Sequence, residues 1–302
     1  MLTLDEKKIR KGKPIGLPYQ GSKKKISKKI VEIIKQNFGT EKPVYDIFGG
    51  GGAITAECLL NGLEVHYNDL DRTITDMFQK VVSEDRDYLK TLIVSRDEFF
   101  RIRVKENKTV DDNLKLLVNS FGNNKRSYLY SEELSDSKYN LAVEIIEKYD
   151  AFDGYRKTEA YLEAKDIFKD QTYQKTQQDR LDRLQQLQRL QQLERLQKLS
   201  HIEATNLDYT EFSGLEDAVL YLDPPYQNAT LDSYSISEFD SQSFYDWVYE
   251  MSKKNIVLIS SYEIPDERFG CVYEFKKVRS TFSPGPRGKR TEKLFMVKKG
   301  EE

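Results

Sequence analysis

Asp46-Ile47-Phe48-Gly49-Gly50-Gly51-Gly52 decides how the chain is read. Residues 43–48 are apolar enough for a short strand, and they run directly into four glycines. Residues 53–60 then read as a helix, closed near Asn61 and Gly62, and residues 63–67 as a second strand ending at Asn68-Asp69. Strand, glycine turn, helix, strand and terminal acid make a β-α-β unit, the building block of a parallel sheet. Glycines let the backbone turn sharply and let a ligand come close to it, and the N–H groups opening the next helix face the same space. The turn lacks the Gly-Lys-Ser/Thr ending of a phosphate loop and the offset of a dinucleotide fingerprint. Asp46 before the turn and Asp69 after the second strand are acceptors of the kind that take ligand amines or a ribose diol. Together they point to a nucleoside-bearing cofactor, whereas the glycines alone fit a structural tight turn equally well.

Outward from this unit, residues 26–38 read as a helix, with Ile26, Ile30, Ile33 and Ile34 at helical spacing and Gly39 as its stop. Residues 1–13 read as a loose polar arm. Beyond Leu70 helical patterns dominate, and the parallel-strand signal returns only at residues 218–222 and again at 255–260. Residues 244–251 read as a helix, and 272–278 and 293–297 as candidate final strands, for which an antiparallel pair is one arrangement. The sheet is thus expected from both ends of the chain, with the middle inserted.

The middle holds a low-complexity run at residues 180–200, with leucine at 181, 184, 187, 190, 193, 196 and 199. A period of three turns the row by about 300° per step, so it spirals around an α-helix rather than forming the seam of a coiled coil. The expectation is an exposed helical arm or a helix with curved or multiple contacts. One use for such an arm is self-association of the chain.

Val219-Leu220-Tyr221-Leu222-Asp223-Pro224-Pro225-Tyr226 carries the chemistry. Two prolines force the chain out of the sheet and hold their neighbours at a fixed angle. Asp223 offers a carboxylate, Pro224 a carbonyl and Tyr226 a flat ring. An acceptor pair beside a stacking ring suits a planar group with an exocyclic amine.

At this point the sequence resembles the Dam-like D12 class of DNA adenine N6-methyltransferases. Asp223-Pro224-Pro225-Tyr226 and Asp46-x-Phe48-x-Gly50-x-Gly52 carry the likeness, with Tyr19-Gln20-Gly21-Ser22-Lys23, Asn68-Asp69-Leu70, Asn206-Leu207-Asp208-Tyr209 and residues 255–260 in support. Arg290-Thr291-Glu292-Lys293-Leu294 matches the family's C-terminal pattern loosely, with spacing shifted by one, and residues 119–130 resemble its Asn/Gly/Arg-rich stretch. The resemblance implies an α/β fold: a Rossmann-like core dependent on S-adenosylmethionine, with an inserted, mainly helical target-recognition region. The expected division is a core at 1–75 and 201–302 around a recognition region at 76–200. It implies catalysis by Asp223, Pro224 and Tyr226 on N6 of an adenine flipped out of double-stranded DNA. It implies that Tyr19, Lys23, Asp46, Phe48, Gly50, Gly52, Asp69 and Asp208 hold the cofactor. Lys24, Lys25, Asn123, Asn124, Lys125, Arg126, Arg287, Lys289 and Arg290 are the candidate DNA contacts, since Asn pairs with adenine edges and Arg with guanine edges. Cytosine N4 offers the same exocyclic chemistry, but motif order and the tyrosine favour adenine. A DNA-binding or assembly protein on a dead core is the rival from another class, opposed by the intact Asp46, Asp69, Asp223 and Tyr226.

Composition limits the rest. Two cysteines, Cys58 and Cys271, and two histidines, His66 and His201, exclude a Cys-rich zinc site and leave no metal expected. Both cysteines read as buried small hydrophobes. No apolar run approaches a membrane span and the N-terminus lacks an apolar targeting stretch, so a cytoplasmic protein is expected. Net charge is -2, but residues 7–35 hold eleven Lys or Arg against Glu32, and residues 276–293 hold seven against Glu292. Such asymmetry permits a positive nucleic-acid surface on a near-neutral chain.

Overall fold

The computed structural model describes residues 1–19, 21–170, 183–199, 201–225, 239–275 and 291–298. Contacts divide the chain into two units, one of Met1–Pro14, Lys23–Thr75 and Ile202–Glu302, the other of Ile15–Ser22 and Asp76–His201.

The first unit is built on the β-α-β element. Helix α1 (Ser27–Phe38) ends at Gly39, whose φ of 85° lets its N–H reach the Lys35 carbonyl at 3.2 Å. Strand β1 (Val44–Asp46) enters the glycine turn, α2 (Ala53–Leu60) follows, and β2 (Val65–Asn68) lies parallel to β1 with Val44 opposite Val65. Helix α3 (Arg72–Ser83) carries the chain onward across the division between Thr75 and Asp76. The sheet resumes with β3 (Ala204–Thr205), too short to leave a sequence signal, then β4 (Val219–Leu222), β5 (Ile256–Ser261), β6 (Phe269–Glu274) and β7 (Lys293–Val297). The strand order is β3-β2-β1-β4-β5-β7-β6, with β7 antiparallel to both β5 and β6 and the other pairs parallel. The mixed α/β fold is therefore the expected one. Helix α10 (Ser241–Met251, the last in chain order) starts at an Asp240 cap and packs Phe244, Tyr245, Val248 and Met251 against Leu220, Leu222, Val257 and Ile259. β4 is buried at all four positions, as a central parallel strand requires.

Two expectations fail in this unit. Residues 1–13 are not loose: Thr3 N–H bonds Asn37 Oδ1 at 3.0 Å, Asp5 N–H bonds Gln36 Oε1 at 2.7 Å, and Arg10 grips the buried Glu57 at 2.8 and 2.9 Å. Glu57 sits within apolar α2, so burial makes the arginine partner necessary. Cys58 is buried, but Cys271 is exposed, because it alternates outward on β6 near the sheet edge.

The second unit is mainly helical: α4 (Arg86–Lys90), α5 (Arg96–Arg103), α6 (Val110–Asn119), α7 (Glu132–Lys148), α8 (Glu159–Asp170) and α9 (Gln185–Gln197). Thr109 and Asp112 form a reciprocal capping box at the start of α6. Phe99, Ile102, Leu116, Tyr128, Leu129 and Tyr130 share one apolar cluster. The leucine repeat is α9, and here the exposed arm is wrong. Leu184, Leu187, Leu190, Leu193 and Leu196 are all wholly buried, and Leu199 is 9% exposed. The spiralling row explains this: leucine visits nearly every side of the helix, so only a helix surrounded by its own unit buries them all. Among the described residues of the repeat no leucine is exposed. Leu181 lies outside the described residues.

Among the described residues no helix is long and apolar enough to cross a membrane. Among them, too, no cluster of His, Cys, Asp or Glu has the make-up of a metal site.

Candidate active site

Strand order reverses between β1 and β4: from β1 the chain's sheet grows one way through β2 and the other way through β4. In open α/β sheets the crevice beyond the strand ends at such a switch is where ligands bind. The register sets Asp46 opposite Tyr221, and Ile47 N–H bonds the Tyr221 carbonyl at 3.3 Å. The glycine turn and Asp223-Pro224 therefore leave the sheet side by side.

The turn is held from behind. Gly49 N–H donates to the Asn68 carbonyl at 2.8 Å, and the Tyr67 hydroxyl donates to the Gly50 carbonyl at 2.8 Å. A Cβ on Gly49 would stand 2.4 Å from the Tyr67 ring, so close approach fixes this glycine. Gly50 and Gly52 have φ of 48° and 69°, and Gly52 caps α2 in the left-handed region.

Two carboxylates end β1 and β2. Asp46 is buried; its Oδ2 accepts from Thr55 N at 3.1 Å and Thr55 Oγ1 at 2.6 Å. Its Oδ1 is buried with no hydrogen-bond partner among the described residues. Burial pushes the Asp46 carboxyl up to about 7, against the Thr55 bonds that favour its charge, with Asp223 and Asp69 adding repulsion. Asp69 accepts from Gly50 N at 2.8 Å and Asp71 N at 2.9 Å, and burial raises it to about 6 despite both bonds. Asp208 caps the turn Tyr209–Phe212, its Oδ1 accepting from Thr210 N at 3.0 Å and Thr210 Oγ1 at 2.6 Å. Half-buried Phe48 stacks on Tyr209 with centroids 6.2 Å apart and meets Phe244 edge-on at 5.8 Å. An orphaned buried acceptor, a second acidic acceptor and an aromatic wall fit a ligand that carries a cation, a diol and a planar base.

Lys23 joins a further group. It lies in the single turn Lys23–Lys25 before α1, and its Nζ is 2.8 Å from Asp223 Oδ1 and 3.7 Å from Glu292 Oε1. Ser260 Oγ, on β5, donates to the same Glu292 oxygen at 2.8 Å. Burial works against the Lys23 charge, but Asp223 and Glu292 outweigh it and hold the ammonium above the ordinary lysine range. Glu292 was visible in the sequence only inside a loosely matching pattern, and Ser260, Tyr67 and Gly49 left no separate signal.

The remaining candidates divide as follows. Asp46, Phe48, Gly50, Gly52, Asp69, Asp208, Lys23, Asp223 and Pro224 are in the first unit, as are half-buried Lys24 and exposed Lys25. Tyr19 is grouped with the second unit, where its carbonyl accepts from Ser22 N at 3.4 Å. Asn123, Asn124, Lys125 and Arg126 are in the second unit too, on a loop closed by the Ser120–Tyr128 bridge. Gly122, Asn123 and Lys125 are left-handed there, with φ of 61°, 58° and 57°. Asn124 Oδ1 is spent on that loop, accepting from Arg126 N at 2.8 Å and Ser127 N at 3.0 Å. Tyr226, Arg287, Lys289 and Arg290 lie outside the described residues.

Residues 19–267 match the family model of the D12 class N6 adenine-specific DNA methyltransferases. No curated protein matches the chain.

Proposed function

Because the chain belongs to the D12 class of N6 adenine-specific DNA methyltransferases, we propose that it methylates a flipped adenine at a defined site in double-stranded DNA, with S-adenosylmethionine as donor. The observation that carries this reading is the juxtaposition of Asp223, held by Lys23 at 2.8 Å, with the Asp46 oxygen that has no partner among the described residues, at the end of the neighbouring strand. One strand end offers acceptors to an amine, and the other offers an acceptor to a cationic ligand.

When bound, S-adenosylmethionine supplies an electrophilic methyl group on a positive sulfur, which departs as a neutral thioether. Asp46, Asp69 and Asp208 would hold it with Phe48, Lys23 and the backbone of Gly50 and Gly52. Asp223 and the Pro224 carbonyl accept the N6 hydrogens of the extruded base, and Tyr226 stacks on its ring. In adenine the N6 lone pair is drawn into the ring. Two fixed acceptors favour a tetrahedral nitrogen whose lone pair points outward, and they stabilise the positive charge that grows there. The ammonium of Lys23 fixes Asp223, so the acceptor needs little reorganisation as charge develops. Orienting the two reactants supplies much of the remaining acceleration.

Methylation of a defined plasmid followed by modification-sensitive sequencing tests this reading. N6-methyladenine in one sequence context is the expected product, and cytosine products or an unmodified plasmid overturn it. Asp223→Ala is expected to lower turnover by about 100-fold or more while DNA binding is retained, the scale of losing one fixed electrostatic contact.

A further inference from the structure

Helix α9 does more than fill the core of its unit, because two of its polar residues are buried with the leucines. Gln186 is wholly buried and Arg189 is 9% exposed. They stand three residues apart, hence on one face. Gln186 Nε2 donates to Asn119 Oδ1 at 2.5 Å, to the Val94 carbonyl at 3.2 Å and to the Tyr128 hydroxyl at 3.3 Å. Its backbone N–H bonds the Tyr130 hydroxyl at 3.3 Å. Arg189 Nη1 donates to the Leu117 and Val118 carbonyls at 3.0 and 2.7 Å, closing the C-terminal end of α6. One turn of α9 thus grips both ends of the loop at residues 120–128: the entry through Leu117, Val118 and Asn119, the exit through Tyr128 and Tyr130.

The loop between those ends transmits the grip. Phe121 N–H bonds the Ser127 carbonyl at 2.7 Å, Ser120 Oγ accepts from Lys125 N at 3.1 Å, and Arg103 Nη1 bonds the Arg126 carbonyl at 2.8 Å. With three left-handed residues and an Asn124 clasp, it has little freedom to re-aim its side chains except by moving its ends. Gln186 also leaves its Oε1 buried with no partner among the described residues. A buried orphan acceptor costs stability, so an apolar residue of similar size would serve the fold at least as well. The amide is explained by what it holds.

We propose that Gln186 is a specificity-determining positioning residue: its amide, with Arg189, sets the orientation in which Asn123, Lys125 and Arg126 meet the bases of the DNA target. This rests on the reading of residues 123–126 as a DNA-contacting loop. The methyl-transfer groups belong to the other unit, so loosening the loop should alter which sites are chosen rather than the reaction at a chosen site.

The test compares the wild type with Gln186→Met, which keeps length and volume while removing both amide hydrogens. Its partners stay satisfied, because Asn119 Oδ1 also accepts from Val94 N at 3.3 Å and the Tyr128 hydroxyl donates to the Val94 carbonyl at 2.9 Å. Tyr128→Phe loosens the same tie from the other side and serves if the first variant does not fold. Plasmid DNA is methylated to equal extent and its modified sites are mapped. The expected result is a broadened set of sites, with the ratio of near-cognate to cognate methylation raised about 10-fold, the loss of one base contact. Single-turnover rate on saturating cognate DNA stays within about 2-fold, and thermal unfolding is unchanged. An unchanged site profile in a folded variant overturns the proposal, as does a uniform loss of rate without broadening. Arg126→Ala and Lys125→Ala separate the underlying reading: if neither alters affinity or site choice, the loop does not contact DNA and both ideas fall. If they do alter it while Gln186→Met does not, only the role of Gln186 falls.

Discussion

Asp46 pairs a raised proton affinity with an oxygen that has no partner among the described residues, and both have measurable consequences. Its folded value near 7 lies above the ordinary 3.8, so the folded protein binds this proton more tightly than the unfolded chain does. The associated stability is present at low pH and is lost as pH rises from about 4 through 7. A cation bound beside Asp46 reverses the preference, since it favours the carboxylate. Binding of S-adenosylmethionine between pH 6 and 7 is therefore expected to release protons and to tighten as pH rises. Calorimetry in buffers of different ionisation enthalpy reads this directly, and Asp46→Asn should weaken the buffer dependence, leaving the smaller share that Asp69 contributes. Equal heats in all buffers would contradict the assignment. At this scale the sequence was legible where chemistry is local: Asp46, Asp69, Gly50, Gly52 and Asp223 sit where turn and strand-end reasoning put them. Glu292 and Ser260 were not, because their role arises from β7 and β5 pairing across the sheet, and no local pattern records that. Gly49 was passed over for the same reason; its constraint is the Tyr67 ring from another strand.

Among elements, α9 overturns one of the two readings of its sequence, the exposed arm, and agrees with the other, a helix with multiple contacts. A polar, repetitive segment looked like a surface feature, and composition alone cannot distinguish a helix at the surface from one enclosed by its neighbours. The period of three did contain the answer, since a row that visits every side needs partners on every side. Leu190→Ala is expected to cost ~2–5 kcal/mol in denaturant unfolding, as for a core leucine. A cost within about 0.5 kcal/mol, as for a surface site, would restore the exposed arm. The sheet elements were legible because β1 and β4 are short apolar runs bounded by Gly, Pro or Asp, and β5 is an apolar run opened by Asn255. β3, two residues long, was invisible for want of any period to detect.

For the molecule as a whole, a net charge of -2 conceals two basic tracts. Lys24, Lys25, Arg287, Lys289 and Arg290 are the candidate phosphate partners. If all of them neutralise phosphates, DNA affinity falls roughly 500-fold between about 50 and 200 mM salt through counterion release. A salt-independent affinity, measured by fluorescence anisotropy, would count against the charged surface despite the family membership. The order of the strands has another consequence, which concerns time rather than binding. β1 must wait for β4, some hundred and seventy residues later in the chain, and β5 for β7 beyond that. Even Leu2 is tied by its N–H to Val272. Both segments of the helical unit, Ile15–Ser22 and Asp76–His201, come before β4 in the chain, so they are synthesised ahead of it. The sheet unit gains its central pairings only late in synthesis, so an unfinished chain can hold the whole sequence of the helical unit while β1 still lacks β4 beside it.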